Sequence, residues 1–155
     1  MRLAVESQRL MEEFLRERFR LETLKLPPLS LYRGRVASWL TNTFRIGAIT
    51  FGRRIFVAPK MVTPDETGRL KVPGWLVAHE ATHVWQYECA GFAGFLSSYL
   101  AGYWRALRAQ RKWGREARQA AYLAIREECE ARESETAYAV WIALRESGPT
   151  LDLED

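Results

Sequence analysis

The chain's only two histidines, His79 and His83, stand four residues apart, and Glu80 directly follows the first. On a helix, residues i and i+4 lie about one turn apart on one face. Both imidazoles of His79-Glu80-Ala81-Thr82-His83 can then address a single cation, while Glu80 reaches a water bound to it. Two histidines scattered at random among these positions fall four apart in about 1.3% of arrangements, and requiring the glutamate lowers the odds to roughly one in 800. Chance is thus a poor account of the spacing. The competing reading is two helix-face histidines without a metal.

This motif fixes a helix near the middle of the chain, and the flanking text supplies the rest. Residues 2–24 show a helical period at Leu3, Leu10, Phe14, Leu21 and Leu24, stopped by Pro27-Pro28. The segment VASWLTNTF suits a short helix or a strand. AITF and RIFVA around Gly52-Arg53 read as a hairpin, and Pro59, Pro64, Asp65 and Gly68 mark a loop. The motif helix begins near Pro73, a third helix covers about 92–113, Gly114 interrupts it, and a last helix runs from Arg115 to Arg145 before Gly148-Pro149. The expected class is α+β and mostly α: a small hairpin or sheet packed on the motif helix, with long C-terminal helices. A chain of 155 residues suits one domain, 1–155, divided into an N-terminal helix and linker (1–30), a core (35–145) and a tail (147–155). The first 30 residues are either an integral core helix or a segment that covers the active-site cleft.

Composition excludes several classes. Hydrophobic residues at 48% and charged residues at 27% are ordinary for a globular chain, so disorder and collagen-like repeats are out. Two cysteines, Cys89 and Cys129, make no disulfide framework, and MRLAVESQRLMEEF holds no apolar run long enough for a signal-peptide core. A cytoplasmic setting is expected. The uncharged run from Cys89 to Trp104 falls short of the ~20 apolar residues of a membrane span. The net charge of +4 is small, so nucleic acid is not an expected partner. The densest basic run, Arg105, Arg108, Arg111, Lys112, Arg115 and Arg118, reads as a solvated helix face or as a contact with a membrane surface.

A catalytic zinc takes three protein ligands and keeps a fourth position for water. No third histidine exists. Cys89 lies about 240° round the helix from His83 and is a poor candidate. In the last helix, with Ala121 as zero at about 100° per residue, Ala117, Ala124, Ile125, Ala139 and Ile142 fall within about 60° of it. Glu128 lies in that stripe at about −20° and Glu135 at about −40°. A carboxylate on an apolar face must be paired or must coordinate something. Glu128 is therefore the expected third ligand and Glu135 the next choice, set against an Arg132 bridge to either with no metal.

HExxH followed by a glutamate on a later helix resembles the gluzincin arrangement of zinc metallopeptidases. More closely, Ala48-x-Thr50-x-Gly52-x-x-Ile55-x-Val57, His79-Glu80-x-x-His83-Val84-x-Gln86 and Glu128-x-Glu130-Ala131 resemble a small HExxH domain also found in core proteins of contractile injection systems. The likeness covers about residues 35–140. It implies zinc held by His79, His83 and Glu128, with Glu80 as general base in peptide-bond hydrolysis and an extended peptide paired to a hairpin strand. The chain departs from the gluzincin pattern in carrying Arg132 where an acid four residues after the ligand glutamate usually supports a histidine. Tyr87, Tyr122 and Tyr138 are the candidates for stabilising an oxyanion. The alternative function is a zinc-stabilised binding or scaffold domain without catalysis, in which Cys129 would fill the fourth position.

Overall fold

The computed structural model describes residues 1–44, 46–66, 68–111, 113–145 and 150–154, the last five by backbone alone. Strand β1 (Arg2–Leu3) leads into helix α1 (Val5–Phe19), followed by β2 (Ser30–Tyr32), α2 (Arg35–Phe44), β3 (Ala48–Phe51), β4 (Arg54–Val57), β5 (Thr63–Pro64) and β6 (Leu70–Pro73). Three helices follow, α3 (Gly74–Ala109), α4 (Arg115–Leu123) and α5 (Arg126–Leu144), and then β7 (Thr150–Glu154). The strands form one sheet in the order β3-β4-β2-β1-β7-β6-β5, antiparallel except where β2 runs parallel to β4. The class is α+β and mostly α, as expected.

The hairpin forms where glycine permits it. Gly52 takes φ 59°, and the ladder pairs Thr50 with Ile55 and Phe51 with Arg54. That places β3 on the sheet edge, and its Thr50 side is buried against α3. VASWLTNTF is helical. The first helix is shorter than its apolar period, because Arg2–Leu3 are recruited into the sheet and Arg20 ends the helix in the left-handed region, its N–H capping the carbonyls of Arg16 and Glu17. Met11, Phe14 and Leu15 of α1 are fully buried in the main core beside Val77, Ala81, Tyr138 and Ile142. α1 is thus built into the core.

Helix α3 holds the motif and is broken once, at Gly91 (φ 69°, ψ 164°), a backbone conformation that an L side chain would strain. Two consecutive helical segments result, close to the expected pair, the second ending at Ala109 and not at 113. The last helix differs more. It is two helices, since Ile125 sits at φ −65°, ψ 130° and starts α5 afresh, its side chain anchored in the core. This break shifts the helical phase, so the buried positions of α5 become Glu128, Ala131, Ser134, Tyr138 and Ile142. Ala124 and Ala139, expected on the same stripe, are exposed. Of the expected C-terminal features, Gly148-Pro149 and residues 147–149 and 155 of the tail lie outside the described residues, as does Lys112 of the basic run; 150–154 are strand β7, between β1 and β6.

Candidate metal centre

Helix α3 packs against α5 and brings His79, His83 and Glu128 together, with one ligand atom from each within 4.8 Å of the others. His79 Nε2 is 3.7 Å from Glu128 Oε2, and His83 Nε2 is 3.5 Å from Glu128 Oε1. Three ligands of a tetrahedral zinc, each ~2.1 Å from the ion, stand ~3.4 Å apart, so the donor set fits the ion by both chemistry and size. Cys89 is exposed and Cys129 gives its Sγ–H to the Leu123 carbonyl, so neither joins the cluster.

What surrounds the three residues fixes their orientation. His83 Nδ1 is 2.8 Å from Gln86 Oε1, while the Gln86 amide nitrogen donates to Glu130 Oε2 at 2.7 Å and to the Glu127 carbonyl at 3.2 Å. Two acceptors on that nitrogen settle which end of the amide faces His83. The His83 Nδ1 therefore carries the proton and Nε2 offers its lone pair to the cluster. His79 repeats the pattern, its Nδ1 lying 3.3 Å from Glu135 Oε2. Glu135 thus meets His79 at the ring nitrogen away from Glu128 and stands outside the three-residue cluster. Arg132 bridges neither carboxylate: its guanidinium donates to the Leu123 carbonyl and contacts Cys129 Sγ at 3.4 Å.

Glu128 owes its setting to the break at Ile125. It falls in the first turn of α5, where the helix dipole favours a negative charge, and its two oxygens each accept a tyrosine O–H at 2.7 Å: Tyr99 on Oε1, Tyr122 on Oε2. Burial works against its charge, but the neighbouring His83 and the two hydroxyls outweigh it and hold the carboxyl down at about 2. Burial, helped by the His83 charge, lowers His79 to about 4, so it is neutral at pH 7. His83 is pulled down by burial but raised on balance by the Glu128 hydrogen bond and by the charges of Glu80 and Glu128.

Glu80 is buried, and Thr50 Oγ1 donates to its Oε2 at 2.7 Å across the β3–α3 contact. Burial dominates its titration and lifts it to about 7 despite His83 and Thr50. Among the described residues no donor reaches Oε1. Of the expected oxyanion candidates, Tyr87 stacks on Phe92 and Phe95, and Tyr138 lies in the core against Phe14 with an unpartnered hydroxyl; only Tyr122 touches the cluster.

Tyr99 is missing from the sequence reading. Within the apolar run 89–104 an aromatic looks like packing, and only its place on the inner face of the helix, beside Phe95, signals otherwise.

Residues 3–91, more than half of the chain, match the model of the eCIS (extracellular contractile injection system) core domain. The chain belongs to the eCIS core domain family. The matched region carries Thr50, His79, Glu80, His83 and Gln86 and stops short of Tyr99, Tyr122, Glu128 and Glu135. The cluster thus takes His79 and His83 from inside the match and Glu128 from beyond it. Comparison with curated proteins and with solved structures returns no match.

Proposed function

We propose that this eCIS core domain is a zinc-dependent peptidase of gluzincin type, acting on a peptide or protein segment within a contractile-injection-system assembly. The single observation that carries the reading is the orientation of the two imidazoles: Gln86 and Glu135 hold both Nδ1 atoms, so both Nε2 lone pairs converge beside Glu128.

The bound metal would polarise the scissile carbonyl and acidify a coordinated water. The chain's own residues supply the rest. Thr50 pins Glu80 by Oε2, which leaves Oε1 to accept the proton of the attacking water. The free edge of β3 offers backbone groups for pairing with an extended peptide alongside Glu80. Tyr122 and Tyr99 each give their O–H to Glu128 and so orient that carboxylate. The non-catalytic scaffold reading needs a fourth protein ligand; Cys129, its candidate, is engaged with Leu123.

Zinc analysis of purified protein with His83→Ala as comparison tests the binding step; wild type without stoichiometric zinc ends the proposal. For the chemistry, Glu80→Gln should retain zinc and lose peptide cleavage. Equal cleavage by both proteins removes Glu80 from the mechanism.

A further inference from the structure

Beyond Gly91, α3 is apolar on both faces. Its inner face is accounted for: Phe95 and Leu107 are buried, Tyr99 reaches Glu128, and Gly102 lies against Ile125. The outer face carries Phe92, Leu96, Leu100 and Trp104 at four-residue spacing, and they remain 57%, 37%, 47% and 48% exposed. Such a row spans ~18 Å of helix. Trp113, 64% exposed, lies beyond its end, its ring centroid 6.1 Å from that of Trp104. A helix apolar all round is ordinarily enclosed by protein or lipid, and a contiguous exposed patch of this kind marks a contact surface.

The charge pattern selects the partner. No aspartate or glutamate occurs between Glu88 and Glu116, whereas Arg105, Arg108 and Arg111 follow the apolar row directly. Arg105 and Arg108 flank Trp104 on an open surface, and among the described residues neither has an ion-pair partner. A second copy of the chain, pairing through this face, would offer the arginines no acid anywhere in residues 89–115 to neutralise them. A nucleic acid would find basic groups but would have no use for Leu96 and Leu100, which cannot stack on bases. Anionic lipid satisfies both halves: acyl chains for the Phe92–Trp104 row, phosphates for the arginines, and an interface for the indoles. Among the described residues no helix is long and apolar enough to cross a membrane, so the helix would lie in the plane of the surface.

We infer that the outer face of residues 92–111 docks on an anionic lipid surface, with Leu100 and Trp104 inserted and Arg105 and Arg108 on the headgroup phosphates. The basic run singled out in the sequence contributes through its first members, adjoining the apolar row.

The test is sedimentation of the full chain with vesicles of phosphatidylcholine alone and of phosphatidylcholine mixed with phosphatidylglycerol. Binding to the mixed vesicles, weakened by salt and absent from phosphatidylcholine alone, is expected. Leu100→Glu with Trp104→Glu should abolish it, and Arg105→Glu with Arg108→Glu should weaken it roughly thirtyfold; all four side chains are exposed, and circular dichroism verifies the fold. Three results overturn the inference: no binding to the mixed vesicles, binding that both double variants retain, or a dimer in sedimentation equilibrium that Leu100→Glu dissolves.

Discussion

Glu135 Oε2 lies 3.3 Å from His79 Nδ1, seven residues after Glu128 along the same helix. Seven residues are close to two full turns, so Glu128 and Glu135 share a face and address opposite edges of the imidazole. Position 132, four residues after Glu128, carries an arginine whose guanidinium turns to the Leu123 carbonyl. Glu135→Ala should lower zinc affinity 10- to 100-fold in a chelator competition, the range seen when such supports are removed. Its side chain is more than a third exposed, so the melting temperature of the metal-free protein should barely move. Unchanged affinity would show that His79 needs no help from Glu135.

Much of the site was legible because its signals are local. The HExxH spacing, the glycine-centred hairpin and a carboxylate among alanines each need only a few adjacent residues. The break between α4 and α5 was not legible, since Ala124-Ile125 contains neither proline nor glycine and tertiary burial of Ile125 ends the helix. Glu128 survived that error because it is only seven residues from Ala121; Ala139, further along, did not. β1 and β5 pair only two residues each, and Tyr99 acts through a residue distant in sequence, so no periodicity could announce them.

The two hydroxyls on Glu128 give a matched comparison. Tyr99→Phe and Tyr122→Phe each remove one donor from a buried carboxylate, and each should weaken zinc binding by about tenfold or more. Tyr138→Phe removes a hydroxyl that has no partner and should leave affinity unaltered. A cobalt-substituted protein reports the same change through its visible spectrum. Equal affinity in all three variants would mean that Glu128 is held by α5 alone.

Thr50 is the link from the sheet edge to Glu80. Thr50→Val keeps the volume but leaves Glu80 Oε2 without its donor in a buried site, which costs about 1–3 kcal/mol. Denaturant unfolding should show that loss while zinc content stays at the wild-type level. Full stability in Thr50→Val would mean that the 2.7 Å contact does no stabilising work.

Glu80 also predicts a pH dependence for the metal-free protein. Its folded pKa, about 7, lies above the ordinary 4.5, so the folded state holds a proton that the unfolded state has lost between those values. This contribution is fully present below about pH 4.5 and disappears as pH rises through about 7. The shift of about 2.5 units corresponds to about 3 kcal/mol. Glu80→Gln removes the charge that must be buried, so relative to wild type the metal-free variant should gain stability between about pH 5 and about pH 8. The neighbouring His83 cation offsets part of it. His79, lowered to about 4, works in the opposite sense and weakens both proteins equally as pH falls below about 6.5, so it cancels from the comparison. Parallel stability curves for the two proteins would contradict a raised Glu80.

Helix α1 gives the last prediction. Met11, Phe14 and Leu15 are buried in the same cluster as Val77 and Ala81 of the motif helix, and Phe14 packs edge-on against Tyr138 at 5.1 Å. Deleting residues 1–30 would uncover that side of α3 and α5 and remove strand β1, which joins β2 to β7, with a loss of several kcal/mol for each large side chain removed. The truncated chain should lose cooperative thermal unfolding and zinc binding together. A latency segment would behave in the opposite way, leaving a folded, zinc-loaded core with higher peptide cleavage. Circular dichroism and zinc analysis on the truncated chain separate the two outcomes.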